Sequence, residues 1–384
     1  MIEVAARALH APSLLALRRL GVRDFRNIER LDLDVPVAGF ALVGDNGQGK
    51  TNLLEALYYL HLLRSMRGAR DRDVVRFGAA GFHVTGTAQD GGRAQRELSV
   101  GFERAGGRKR VRVDGAEPAR MSDALGAVPS VIVSPGDVQL VAGSPSARRR
   151  YVDIVLALTS RPYLAALQAY RATLARRNAA LRDVARGGHG DTRVAVWEPA
   201  LASHGAVLLR ARRVWMEPAA PEFARLCAAI GERGDARMRY VSALPAIDDA
   251  EAALLAALEQ ARANDVRRGV TSSGPHRDDL ELTLDGRELR TYGSAGQHRT
   301  AAIALRMLEA ATLRERFGAP PLLLLDDPFA ELDSRRSQLI LELLAGAGLG
   351  QTVLAVPRAQ DIPRELTTLD RWRVEHGTLT RAAS

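Results

Sequence analysis

The run Gly44-Asp45-Asn46-Gly47-Gln48-Gly49-Lys50-Thr51 constrains this chain more than any other feature, because its neighbours fix its structural setting. Gly39-Phe40-Ala41-Leu42-Val43 suits a short buried strand, and Thr51-Asn52-Leu53-Leu54-Glu55-Ala56-Leu57 opens a helical pattern. A glycine-rich turn between strand and helix lets successive backbone N–H groups curl around phosphate oxygens, and the helix N-terminus adds its positive dipole end. The spacing assigns the residues from Gly44 to Asn52 to a nucleotide, Lys50 to its β/γ-phosphates and Thr51 to Mg²⁺. Only two of the 54 basic side chains are lysines, Lys50 and Lys109. In a chain that otherwise uses arginine, a lysine here points to the need for a compact, rotatable ammonium.

The chemical partners of this loop stand in the last quarter of the chain. Leu322-Leu323-Leu324-Leu325 reads as a strand buried on both faces, as in the middle of a parallel sheet, and it ends in Asp326-Asp327. Open α/β sheets bind ligands at that end. Asp326 is therefore expected to hold Mg²⁺ and Asp327 to orient the attacking water; alone, the pair would read equally well as a solvated strand end. Upstream lies Tyr292-Gly293-Ser294-Ala295-Gly296-Gln297, followed by apolar residues at helical spacing (Ile303, Leu305, Met307, Leu308, Ala311). That pattern puts Ser294 and Gly296 at a helix N-terminus, where free N–H groups and a hydroxyl face an anion. The plainer reading is an N-capping serine. Its position shortly before the Asp326 strand favours the signature motif of ABC-type ATPases, in which Ser294, Gly296 and Gln297 would cap the γ-phosphate held by an opposite subunit. ATP with Mg²⁺ is the expected ligand, in a site split between two copies of the chain.

These residues resemble the RecF family of bacterial recombinational repair proteins, relatives of the SMC and ABC ATPases. The resemblance runs through Asp24-Phe25-Arg26-Asn27, the phosphate loop, Ser134-Pro135-Gly136-Asp137, Gly143-Ser144-Pro145 with Arg148-Arg149-Arg150, Arg177-Asn178 and Trp197. It continues through Gly274-Pro275-His276-Arg277-Asp278-Asp279, Gly296-Gln297-His298-Arg299-Thr300 and Asp326 through Asp333. The Gly-Pro-His-Arg-Asp-Asp run is the most family-specific. The resemblance implies an α/β ABC/SMC-type P-loop ATPase head with an inserted, mainly helical arm, divided as 1–130 (head), 131–265 (arm) and 266–384 (head). It implies an ATP-dependent homodimer that closes on double-stranded or gapped DNA without sequence preference and acts with RecO and RecR. Three departures stand out: Ala295 within the signature, Asp327 where most ABC ATPases carry glutamate, and Val356-Pro357-Arg358 with no Thr or His at the switch position. The shorter acid predicts slow hydrolysis.

Between about Ser146 and Asp265 the composition turns to Ala, Leu and Arg in an almost wholly helical pattern without sustained heptads, which predicts a compact lever. A net charge of +9 and a sequence pI near 10.3 favour an anionic macromolecular partner. Arg64, Arg67 and Arg70, after the phosphate-loop helix, are the candidate DNA contacts, whereas the paired arginines of the helical region read as solvated helix faces. His276 and Arg277 are divided between a nucleotide or subunit contact and a hydrogen-bonded loop. A single cysteine, Cys227, and no apolar run long enough to span a bilayer predict a cytoplasmic protein, and Met1 to Ser13 do not read as a signal peptide. Two other classes compete: a transporter ATPase subunit, disfavoured by the long insertion, and the head of an OLD-like nuclease, which would need an additional acidic domain.

Overall fold

A computed structural model describes residues 16–89, 95–187, 192–245, 249–329, 332–346 and 350–382. Met1 to Ser13, His189 and Glu331 lie outside the described residues. Fourteen strands are described: β1 Ala16–Phe25, β2 Ile28–Asp34, β3 Gly39–Val43, β4 Gly81–Gln89, β5 Gln95–Glu103, β6 Arg108–Val113, β7 Ser130–Val133, β8 Ala236–Val241, β9 Asp279–Leu284, β10 Arg287–Glu288, β11 Leu322–Asp326, β12 Thr352–Val356, β13 Asp370–Glu375 and β14 Thr378–Arg381. The chain forms two compact units, one of residues 1–136 with 309–384, the other of residues 137–308.

The first unit holds two sheets. One is six-stranded, in the order β14-β13-β3-β12-β11-β7, and every neighbouring pair except β13–β14 is parallel. Its central strands are apolar throughout: Phe40, Ala41 and Leu42 of β3, Leu322 to Leu325 of β11 and Val353 to Val356 of β12 are buried, as a sheet covered on both faces requires. The other sheet is antiparallel, in the order β2-β1-β4-β5-β6. Here residues alternate, with Leu20, Val22, Val84, Val100 and Val111 inside and Arg19, Arg23, His83, Arg110 and Arg112 outside. The Lys50–Leu62 helix joins this core through Tyr59, whose ring meets Phe25 at 5.7 Å and Phe82 at 5.3 Å in edge-on contacts.

The second unit is a bundle of the helices Pro145–Thr159, Arg161–Ala185, Glu198–Ala229 and Ala250–Arg268, with the small sheet β10-β9-β8. β8 falls inside the stretch expected to be almost wholly helical. Its sequence Ala-Arg-Met-Arg-Tyr-Val alternates, burying Ala236 and Met238 while Arg237 and Arg239 point out, and its antiparallel pairing with β9 fixes a period of two. The helices pack through Leu201, Leu208, Leu209, Leu254 and Leu258, all buried. Gly205 permits one close approach, since a Cβ there would stand 2.4 Å from Leu254 Cδ2.

Charge is buried in this unit to an unusual degree. Arg177 is fully buried and donates to Asp265 at 2.7 Å, Thr271 Oγ1 at 2.9 Å and Glu198 at 2.9 Å. Arg212 donates to Tyr163 Oη, Asp153 and the Pro275 carbonyl at 3.0, 2.8 and 2.7 Å, and Arg148 holds Asp279 through two bonds of 2.8 and 2.7 Å. Arg148, Arg177 and Arg212 therefore sit neither on solvated faces nor on a binding surface, whereas Arg267 and Arg268 are both exposed, as a solvated helix face requires. Arg148 and Arg212 converge on the Gly274-to-Asp279 run, and Arg177 on Thr271 just before it. His276 Nδ1 lies 2.6 Å from Tyr170 Oη and Nε2 3.1 Å from the Thr271 carbonyl, so Nε2 carries the proton and Nδ1 accepts from the phenol. Arg277 also donates to the Thr271 carbonyl, and Tyr240 donates to Asp278. Of the two readings of His276 and Arg277, the geometry matches the hydrogen-bonded loop.

Candidate nucleotide site

The phosphate loop leaves β3 and turns into the Lys50–Leu62 helix, as the apolar-then-helical pattern requires. Gly47 and Gly49 have φ of 83° and 117°, values that only glycine adopts without strain. A Cβ at Gly47 would meet nothing within 4 Å, so the loop's crest is open to a ligand, whereas one at Gly49 would stand 2.7 Å from Asn27 Nδ2 and one at Gly44 2.5 Å from the Val374 carbonyl.

The loop is braced from two sides. Asn27, in the β1–β2 turn, donates to the Gln48 carbonyl at 3.1 Å and accepts from Asn52 Nδ2 at 2.8 Å. In the β13–β14 turn, Gly377 N donates to the same carbonyl at 2.8 Å and His376 N donates to Gln48 Oε1 at 2.8 Å. The Gln48 side chain is thus a strut. Neither brace was given a role from sequence; Asn27 stands in a family-like run, but His376 and Gly377 carry no motif and become neighbours only through the β13–β3 pairing.

Lys50 is nearly buried, and its ammonium donates to the Gly44 carbonyl and, at 2.9 Å, to that of Asp45. Burial pulls its pKa down, against the opposing fields of Asp326, Asp327 and Asp45. Asp326 closes β11, one strand removed from β3 with β12 between them, and its Oδ1 accepts from Thr51 Oγ1 at 3.0 Å. Burial raises the Asp326 pKa, and the Thr51 hydrogen bond and the Arg67 charge work against that rise. Asp327 follows in the left-handed region, with φ of 45° and its N–H bonded to the Ala355 carbonyl at 2.9 Å. A hydroxyl and a carboxylate side by side, backed by a second acid, form the all-oxygen donor set that suits Mg²⁺. The residues present fit a phosphate chain and a hard divalent cation.

The three candidate DNA arginines are all exposed, but they differ in setting. Arg67 NH1 lies 3.4 Å from Asn52 Oδ1 and 3.9 Å from Glu55 Oε2, which ties it to the first two turns of the loop's own helix. Glu55 is fully buried, bound by Arg26 through two bonds of 3.0 Å and by the Ser65 hydroxyl. Arg70 precedes the short helix Asp71–Val74, and Arg64 stands near Lys109, whose pKa its charge helps to lower.

In the second unit, Ser294 sits immediately before the Ala295–Phe317 helix. Gln297 N donates to Ser294 Oγ at 3.3 Å while Ser294 N donates to Gln297 Oε1 at 2.8 Å, a reciprocal cap. Gly296 lies in the first turn. The N-capping geometry holds, and it leaves the helix end facing outward, since Tyr292 is 69% exposed and Ser294, Ala295 and Gly296 are half-buried or exposed. Ser134 to Asp137 carries a buried acid, Asp137, gripped by Arg306 at 2.6 Å.

The family model for the RecF/RecN/SMC N-terminal domain matches residues 16–356. A protein of Synechococcus sp. (strain JA-3-3Ab), "DNA replication and repair protein RecF", is 39% identical over 336 residues, covering 85% of this chain and 88% of the relative. A solved structure described as "Structure of the recombination mediator protein RecF-ATPrS in RecFOR pathway" superposes with a TM-score of 0.88 at 28% identity, over 97% of this chain and all of the other. The Smc head domain of Pyrococcus furiosus, bound to the C-terminal domain of ScpA, gives a TM-score of 0.58 at 17% identity over 96% of each chain, a likeness of fold alone. With its phosphate loop and acidic strand end on an SMC-type head, this chain belongs to the RecF family of SMC-like, ABC-type ATPases.

Proposed function

We propose that this protein is an ATP-dependent DNA-binding protein of recombinational repair and replication. The observation that supports it most is the 3.0 Å hydrogen bond from Thr51 to Asp326, which joins the phosphate loop to the acidic strand end across 275 residues of sequence. The Gly44–Asn52 loop takes the phosphates of ATP, and Lys50 exchanges its two carbonyl partners for β/γ-phosphate oxygens. Thr51 and Asp326 hold Mg²⁺, which when bound neutralises charge on the phosphates. Asp327 orients the attacking water. Ser294, Gly296 and Gln297 complete the site of a second copy in a head-to-head dimer, whose closure on DNA near single-strand gaps is undone by slow hydrolysis. Action with RecO and RecR follows from the relatives' place in the RecFOR pathway.

Analytical sedimentation with and without ATP and gapped duplex DNA tests the dimer and its coupling together. ATP should convert monomer to dimer and carry DNA into the same boundary. A protein that stays monomeric in ATP, or binds DNA equally in either state, would overturn the reading. Among the described residues no helix is long and apolar enough to cross a membrane.

A further inference from the structure

The outer face of the antiparallel sheet is lined with arginines that the nucleotide site does not use. On β6, Arg108, Arg110 and Arg112 alternate with the inward-facing Lys109 and Val111, so three guanidinium groups follow one another along a single strand. Pairing extends the row sideways: Arg110 is opposite Gly101 of β5, Gly101 opposite His83 of β4, and His83 opposite Arg23 of β1. Gly101 leaves the middle of the row without a side chain; a Cβ there would stand 3.3 Å from His83 Cδ2. The result is a groove of about 280 Å³ lined by His83, Ser99, Gly101, Arg108, Arg110 and Arg112 among others. The carboxylate in its lining is Glu103, opposite Arg108 at the end of β5, while Glu97 stands towards the other end of that strand. Among the described residues, Arg23, Arg108, Arg110 and Arg112 make no ion pair, whereas Arg96 at the sheet's end pairs with Asp114 at 3.7 Å. The charges of Arg23 and Arg112 reach the groove, since after burial they are what lowers the His83 pKa, against Glu97.

We propose that this sheet face binds the phosphodiester backbone of one nucleic-acid strand laid along β6, with Arg108, Arg110 and Arg112 on successive phosphates and Arg23 and His83 on the far wall. Alternate residues of a strand repeat every 6.7 Å or so, close to the separation of successive phosphates along a polynucleotide. A polymer therefore meets every arginine, while a single anion meets one or two. Contacts of this kind position a strand and read no bases. The inference takes its partner from the DNA reading above and gives it a surface other than Arg64, Arg67 and Arg70.

The test uses the full chain and fluorescence anisotropy of a gapped duplex and a single-stranded oligonucleotide, with ATP, across a salt series. Arg110→Glu/Arg112→Glu should weaken binding by roughly tenfold or more and flatten the dependence of log K on log salt by about 1.5, with ATP affinity unchanged. Arg237→Glu/Arg239→Glu, an equal charge change on exposed β8, is the control. Equal loss in both variants would mean that only net charge matters, and unchanged binding in the first would move DNA elsewhere on the protein; both overturn the surface and leave the DNA reading standing. Wild-type protein that binds no DNA overturns both. Poly-glutamate bound more tightly than an oligonucleotide of equal charge would assign the groove to an acidic protein instead. NMR titration of the His83 ring is a second readout: phosphates offset Arg23 and Arg112, so its pKa must rise on binding, and an unmoved pKa would place the strand off this face.

Discussion

At the scale of single residues, the two sites turn on where charge is buried. Lys50 is held by two backbone carbonyls in a nearly buried position, so its ammonium is aimed before any phosphate arrives. Lys50→Ala should weaken ATP binding by roughly ten- to a hundredfold, the worth of one charge-assisted hydrogen bond, with the fold intact by circular dichroism. Calorimetric titration with ATP checks it; unchanged affinity would remove Lys50 from the site. His276 gives a pH-dependent prediction in the other unit. Burial pushes its pKa down to about 4, helped by the charges of Arg277 and Arg149 and opposed by the hydrogen bond to the Thr271 carbonyl, so the ring is held in neutral form. The unfolded chain takes up this proton near pH 6.5 and the folded chain only near 4, so the stabilisation is complete above pH 6.5 and is lost as the pH falls towards 4. The span corresponds to about 3 kcal/mol. Urea unfolding between pH 7 and 4.5 should show His276→Gln losing less stability on acidification than the parent.

At the scale of elements, the motifs were legible wherever chemistry imposes a spacing. Strand, glycine turn, Lys50 and Thr51 could be read directly, as could the leucine strand ending in Asp326 and the helix start after Ser294. What escaped had a reason in each case. β8 was missed because Ala236-Arg-Met-Arg-Tyr-Val has the arginine-rich composition of the helices around it, and only its pairing with β9 reveals its period. The inward turn of Arg148, Arg177 and Arg212 was missed because composition does not show which side of a helix meets Asp279, Asp265 or Asp153, residues distant in sequence. The braces on Gln48 come from two turns more than 300 residues apart. The signature helix carries its own prediction. Ser294 and Gln297 already satisfy each other's backbone N–H groups, so Ser294→Arg costs a local cap and sets a bulky cation on an outward-facing helix end. Such a variant should bind ATP as a monomer with near-normal affinity and fail to dimerise; a normal ATP-dependent dimer in sedimentation would refute the composite site.

At the scale of the whole molecule, the question is whether hydrolysis is what releases DNA. Asp327 stands in a left-handed conformation beside Asp326, which keeps the Thr51 contact, and the proposed function gives Asp327 the task of orienting water. Asp327→Asn preserves shape but removes the charge and basicity, so ATP turnover should fall at least tenfold while ATP binding and closure persist. The variant should then hold gapped DNA longer in ATP, and salt should shorten that lifetime steeply. Asp326→Asn is the contrasting case, since it should also weaken Mg²⁺-dependent nucleotide binding. DNA lifetimes indifferent to ATP in both parent and variant would separate hydrolysis from release.

The scarcity of lysine has a practical consequence for watching this molecule fold. Lys50 lies under the phosphate loop, and Lys109 is drawn against the Tyr59 ring, with its ammonium bonded to the Tyr59 hydroxyl, Asp71 and the Leu63 carbonyl at the end of the same helix. The two peptide bonds that a lysine-specific protease can cut are therefore both tied to one helix: Lys50–Thr51 lies in its first turn, and Lys109–Arg110 lies in β6, whose Lys109 side chain is bonded to the helix's C-terminal end. The native protein should resist such a protease as a single species, and cleavage should appear only when this helix and its surroundings open. Nucleotide should slow the cut after Lys50 by the factor with which it favours the closed loop, more than it slows the cut after Lys109. Limited digestion thus becomes a two-position clock for the ATP site, read on a gel without any label.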